Sequence, residues 1–285
     1  MGTALDLGIT LFDTASSYDD AEEALGRALR SVPGDSYVVS TKVFYRPDGI
    51  IGGLSAEHIR SSTEGSLRRL RSSQIGLLIA HSFDPDVPLE ETITAFGDLI
   101  AAGKIGHYGF SEWTAEQIAR ACAIASELGI PGPTANQLQY NVMWRIPEAR
   151  VLSTCEKSGV GTVAFWILAQ GMLTGKYRVG VAPDDNTRAG TEFGRFTMHH
   201  LMEEPLLERV ELFARLARHH GMSPANLAIA WVLGRPGVST ALVGASAPAQ
   251  LVENSAASGV HLTERALKLI DTIFAGCVLD AEVDR

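Results

Sequence analysis

Four polar side chains in the first third of the chain are suited to acid–base chemistry at an oxygen. Asp13 closes the apolar run "ITLFD", and Tyr18 follows five residues later in a small polar turn. Lys42 closes "SYVVSTK" and His81 closes "IGLLIAH". A phenol titrates at about 10 in water, too high for ready proton exchange near neutrality. An ammonium beside it favours the phenolate, so Lys42 is expected to lower the Tyr18 pKa, while Asp13 keeps the lysine charged and aimed. An imidazole hydrogen-bonds a carbonyl oxygen and polarises it. No side chain donates hydride, so a site of this kind implies a nicotinamide nucleotide. Taken singly, each residue has a plainer reading: Asp13 a turn cap, Lys42 a surface lysine, His81 a satisfied core histidine. Their placement on neighbouring strand ends favours one shared site.

The elements that must position them alternate. Short β-branched runs read as strands at 9–13, 36–42, 75–81, 104–111, 133–137, 161–166 and 239–246. Helical patterns fall near 20–31, 55–71, 88–102, 114–128, 146–158, 223–234 and 247–257. "LSAEHI", "SEWTAEQI" and "MSPANLA" carry helix-start signals, and Gly103, Gly129, Gly159 and Gly221 mark helix exits. Repeated strand–helix units predict a parallel sheet. Asp13, Lys42, His81, Ser111, Gln137 and Ser246 all stand at or just past strand C-termini, the face that holds the active site of a closed barrel. An open doubly wound sheet would concentrate such residues near one switch point. Its glycine fingerprint is also absent after the first strand, because "GVGTVA" (159–164) leads into a strand instead. The expected fold is therefore an α/β, (β/α)8 TIM barrel forming a single domain over 1–285. The stretch around 170–200 is expected to be a loop, functional or mobile.

Composition narrows the partners. With 46% hydrophobic residues the chain has material for a large core. A net charge of −9 disfavours nucleic acid and anionic membranes, which need basic patches. No apolar run reaches the roughly 20 residues of a membrane span. Cys122, Cys155 and Cys277 show no disulfide or metal spacing, and no secretion signal opens the chain, so a cytoplasmic protein without a metal is expected. The acids of "HSFDPDVPLEE" could suggest a glycosidase pair, but Asp84 and Asp86 suit a proline turn, and Glu90 and Glu91 suit a helix first turn.

Over almost its whole length the chain resembles the aldo-keto reductase superfamily. The resemblance is carried by "GITLFDTASSY", "VVSTKV", "LLIAHSFDPD", "LIAAGKIGHYGFSEW", "ANQLQYN", "LAQGMLTGKY", "MSPANLAIAWVLGRPGVSTALVGAS" and "QLVEN". The phrasing is similar to the branch that contains potassium-channel β-subunits and their bacterial relatives. The resemblance implies an NADP(H)-binding barrel with the tetrad Asp13, Tyr18, Lys42 and His81. Channel β-subunits typically have Asn at the His81 position, which leans toward a working reductase. Ser111 and Gln137 match holders of the nicotinamide carboxamide, with Glu112 where Asn is usual, and Phe165 matches an aromatic that stacks on the ring. Trp166 and Leu168 fall in a segment that is commonly Ser-Pro-Leu. Gly171, Leu173, Gly175 and Lys176 match a phosphate-clasping loop closed by Arg188. Gly244, Ser246, Gln250, Glu253 and Asn254 match the adenosine end.

The family normally has a hairpin, a first strand and most of a helix ahead of "LDLGITLFDTA", whereas four residues, "MGTA", stand there in this chain, and seven strands can be counted. The expected activity is NADPH-dependent reduction of an aldehyde, ketone or keto-sugar. Two alternatives stay open: an NADP-binding regulatory subunit with little turnover, and a truncated inactive copy. A homo-oligomer is compatible with either. Tyr45, Trp113, Tyr140, Trp144 and Phe196 are candidates to line the substrate pocket.

Overall fold

The computed structural model describes residues 1–277. Among them are seven strands: β1 (Leu11–Asp13), β2 (Val38–Val43), β3 (Ile75–Ala80), β4 (Ile105–Ser111), β5 (Ala135–Gln139), β6 (Gly161–Phe165) and β7 (Val238–Ala241). Their hydrogen-bonded order follows the chain, and the pairs from β1 to β5 are parallel. Parallel neighbours need a crossover. Helices Ala21–Ala28, Ala56–Leu70, Leu89–Ala101 and Ala115–Glu127 provide it over this half of the chain. The fold is thus α/β, in the order of a (β/α)8 barrel with seven of its strands. Ahead of β1 lies the helix Gly2–Asp6, which the sequence pattern did not mark.

The chain divides into two compact units. The first comprises Met1–Leu138 with Ser153–Val163, and the second comprises Gln139–Leu152 with the chain from Ala164. In the first unit β3 is nearly all apolar (Ile75, Leu77, Leu78, Ile79 and Ala80 buried), as a strand covered on both faces must be. Ser55 caps the helix Ala56–Leu70 by accepting from the His58 N–H, and Thr114 and Gln117 form a reciprocal capping box on Ala115–Glu127. Helices Ala21–Ala28 and Ala56–Leu70 approach so closely that a Cβ on Gly26 would lie 2.5 Å from the Leu70 carbonyl oxygen. Register sets the site: Asp13 lies opposite Ser40, Lys42 opposite Ile79, and Ser111 opposite Gln137.

Past β5 the pattern departs from expectation in several places. The helix expected over 146–158 is a 3-10 turn, Ile146–Glu148, followed by a helix from Val151 to Lys157. β7 ends at Ala241, leaving Ser246 outside any strand. The stretch 170–200 contains a short helix, Glu192–Met198. Helices Glu204–His219 and Glu264–Phe274 were not anticipated. The first buries Leu207, Val210, Phe213, Ala214 and Ala217, and the second buries Ala266, Ile270 and Phe274, both at helical spacing. Among the described residues no helix is long and apolar enough to cross a membrane, and no His, Cys, Asp and Glu residues group as a metal site.

Candidate active site

The first unit brings Asp13, Tyr18, Lys42 and His81 to one rim. Lys42 is 2% exposed and donates from Nζ to Asp13 Oδ2 at 2.5 Å and to the Thr14 carbonyl at 2.9 Å. Its ammonium stands 5.0 Å from the centre of the Tyr18 ring. The Tyr18 and His81 rings meet edge-on at 5.8 Å, and Tyr45 meets the other side of the arrangement, 5.3 Å from His81. Buried Ser16 ties the Tyr18 turn down, its hydroxyl directed at the carbonyls of Lys42 (3.1 Å) and Tyr45 (2.9 Å). The His81 N–H donates to the Val43 carbonyl at 2.9 Å, fixing the exit of β3 against the exit of β2.

Burial dominates the electrostatics of this rim. The Tyr18 residue is 45% exposed, yet its surroundings desolvate the phenol, and with the Asp13 charge they push its pKa up to about 12. This corrects the expected downward shift: the nearby ammonium does not offset burial and the carboxylate. Burial also holds His81 down to about 4, helped by the Lys42 charge and opposed by Asp13, so the imidazole is neutral at neutral pH. Lys42 titrates below the ordinary lysine range because burial outweighs the pull of Asp13 and Glu22. At neutral pH the rim therefore presents a protonated phenol and a neutral imidazole.

Ser111 and Gln137 are buried in the same unit. Gln137 donates its Nε2 to Asp13 Oδ1 at 2.9 Å, although β5 and β1 are not paired, so the strands of this unit curl enough for their side chains to meet. Glu112 is exposed, with a positive φ of 59° and its N–H on the Gln137 carbonyl. Positive φ at a non-glycine strand exit is a costly backbone state of the kind that clusters at functional sites. Two aromatics expected at the substrate pocket are core residues instead. Trp113 (1% exposed) stacks on Phe110 at 3.8 Å, and Tyr140 (0%) donates to Glu148 at 2.6 Å. Phe196 is 80% exposed. Asp84 accepts the N–H groups of Leu54 and Asp86, the turn role expected for it.

The second unit carries a separate cleft of about 680 Å³, within the range of small-molecule sites. Of the residues matched to cofactor contacts, Trp166, Leu168, Gly171, Lys176, Arg188, Gly244, Ser246, Gln250, Glu253 and Asn254 line it. Phe165 does not line it, Leu173 is fully buried, and Gly175 packs against Ala214 and Pro224. Gln170 and Thr174 also line it and were not anticipated; both lie inside the quoted "LAQGMLTGKY". Trp166, Ala169, Gln170 and Gly171 all have positive φ, winding the chain into a tight cradle. A Cβ at Gly171 would meet Lys176 Cε at 2.8 Å, so the glycine leaves the lysine its place. Arg188 donates to the side-chain Oε1 of Gln170 at 3.3 Å, and the buried Gln170 Nε2 has no partner. Ser246 donates from N and Oγ to Gln250 Oε1, closing the approach to the helix Pro248–Ser255.

Sequence comparison covers both sites. The model of the Aldo/keto reductase family matches residues 1–275. A putative voltage-gated potassium channel subunit beta of Schizosaccharomyces pombe is 36% identical over 294 residues, covering 99% of this chain and 85% of that protein. A probable channel subunit beta of Arabidopsis thaliana is 35% identical over 90% of this chain and 79% of its own length. An L-glyceraldehyde 3-phosphate reductase of Escherichia coli is 32% identical, covering 94% and 80%. With the family match spanning nearly the whole chain and the tetrad assembled at one rim, this chain belongs to the aldo/keto reductase family of oxidoreductases.

Proposed function

We propose that the protein is a cytoplasmic, NADPH-dependent reductase of an aldehyde, ketone or keto-sugar. The observation that carries this reading is the rim of the first unit, where Lys42 lies 2.5 Å from Asp13 and 5.0 Å from the Tyr18 ring, beside a neutral His81. NADPH supplies hydride to the carbonyl carbon when bound. Tyr18 supplies the proton that the new alkoxide takes, and a phenol held up to about 12 arrives at that step protonated. Lys42 stabilises the phenolate left behind, and Asp13 keeps the ammonium charged inside its buried slot. His81, as a neutral imidazole, donates a hydrogen bond to the carbonyl oxygen and polarises it.

The cleft of the second unit fits the phosphate-bearing part of the nucleotide. Lys176 and Arg188 bring positive charge, the Gly171 cradle leaves room beside Lys176, and Gln170 Nε2 is a buried donor in want of an acceptor. The test is NADPH oxidation by the full chain against a panel of carbonyls. The panel includes L-glyceraldehyde 3-phosphate, after the name of the bacterial relative. Turnover on one or more is expected, and tight NADPH binding with no turnover on any refutes a reductase. Similarity to channel β-subunits favours the second reading, a nucleotide-binding regulatory subunit with little turnover. That reading predicts slow turnover and a copurifying partner.

A further inference from the structure

Asp13 has three donors around it, and only one of them is the lysine. Oδ2 accepts from Lys42, while Oδ1 accepts from Ser40 Oγ at 2.8 Å and from Gln137 Nε2 at 2.9 Å. We propose that Ser40 and Gln137 are positioning residues of the proton relay, locking the Asp13 carboxylate so that one oxygen faces Lys42. The inference rests on the reductase reading for its kinetic consequence but not for its geometry.

A carboxylate on a short side chain turns about its last bond and can offer either oxygen to a partner. Two donors on Oδ1 remove that freedom. Ser40 is 1% exposed and lies directly across from Asp13 in the strand register. It precedes Lys42 by two residues on β2, so both side chains leave the strand on one face. One strand thus grips both carboxylate oxygens. Gln137 is 3% exposed and reaches Asp13 from β5. Both locking groups are neutral, so they aim the carboxylate without competing for its charge. Gln137 is also among the residues matched to the nicotinamide carboxamide, so one side chain serves the aim of the relay and the seat of the nucleotide.

The groups that face Lys42 are Asp13 on β1, Tyr18 in the turn after it, Glu22 on the helix Ala21–Ala28, and His81 after β3. Loosening Asp13 weakens the strongest hold on the ammonium, and burial then pulls its titration further down. The test is side-chain NMR titration of Lys42 in the cofactor-free full chain, with steady-state kinetics beside it. Ser40→Ala is expected to lower the Lys42 midpoint and to cut kcat about tenfold or more, with the carbonyl KM nearly unchanged. Ser40→Thr, which keeps a hydroxyl, is expected to restore both. Gln137→Leu is expected to lower the Lys42 midpoint in the same way, and it decides the matter if Ser40→Ala does not fold. A Lys42 midpoint unmoved by either substitution overturns the proposal. Absence of turnover in the wild-type protein removes the reductase reading alone, because the titration still tests the lock.

Discussion

Replacing Lys42 by methionine isolates the ion pair on which the rim is built. The two charges sit 2.5 Å apart, with the lysine side chain 1% exposed and the aspartate 16%. At an effective dielectric of about 20 their attraction is about 7 kcal/mol. Desolvation of several kcal/mol per ion offsets most of it, so the intact pair adds little net stability. The single substitution is different, because it leaves Asp13 charged with only Ser40 and Gln137 to hold it. Breaking a buried pair costs about 3–5 kcal/mol, and the remaining donors and partial exposure of Asp13 favour the lower end. Lys42→Met is therefore expected to cost about 3 kcal/mol, or a Tm lower by about 5 °C in a chain of this size. The double variant Lys42→Met/Asp13→Asn removes the stranded charge and should regain most of that loss, while both variants lose turnover. Thermal unfolding of the three proteins at neutral pH is the assay. A double variant no more stable than the single one would refute the assignment of the loss to an uncompensated carboxylate.

Three further outcomes are expected. Gly26→Ala places a Cβ 2.5 Å from the Leu70 carbonyl oxygen, where only backbone can give way, so a loss of about 2 kcal/mol or more should appear in the same unfolding assay. His81 titrates at about 4 in the folded protein against 6.5 for the free group, so the unfolded chain binds more protons between those values. Stability should then rise with pH across that window by up to about 3 kcal/mol, and His81→Asn should flatten the rise in pH-dependent unfolding. Gly171→Ala pushes into the Lys176 side chain and strains a φ of 96°, so calorimetry should show NADPH affinity reduced while the Tm falls only modestly.

Three of the four rim residues were legible because strand ends are legible: a β-branched run that stops on Asp, Lys or His declares where the side chain will sit, and Tyr18 follows in the turn after the first of them. Ser40 was within reach of the same logic, being two residues before Lys42, but its partner depends on register, which comes from pairing. The direction of the Tyr18 shift was misread for a related reason. A lysine in the sequence announces a charge but not the burial that outweighs it. Trp113 and Tyr140 carry the residue types of a pocket wall, and only the packed structure shows them inside the core. The helix Glu204–His219 was readable from its apolar spacing and from Pro205 in its first turn. The cradle at Gln170 was not, because positive φ at non-glycine residues leaves no signature in residue type.

The most direct measurement is kcat of Tyr18→Phe on the best carbonyl found for the wild-type protein, with NADPH affinity measured alongside. If the phenol at residue 18 is the proton donor, kcat falls about 10²–10⁴-fold while nucleotide affinity holds. Turnover at the wild-type rate with the hydroxyl gone would contradict it, leaving the ammonium at residue 42 without a phenolate to stabilise.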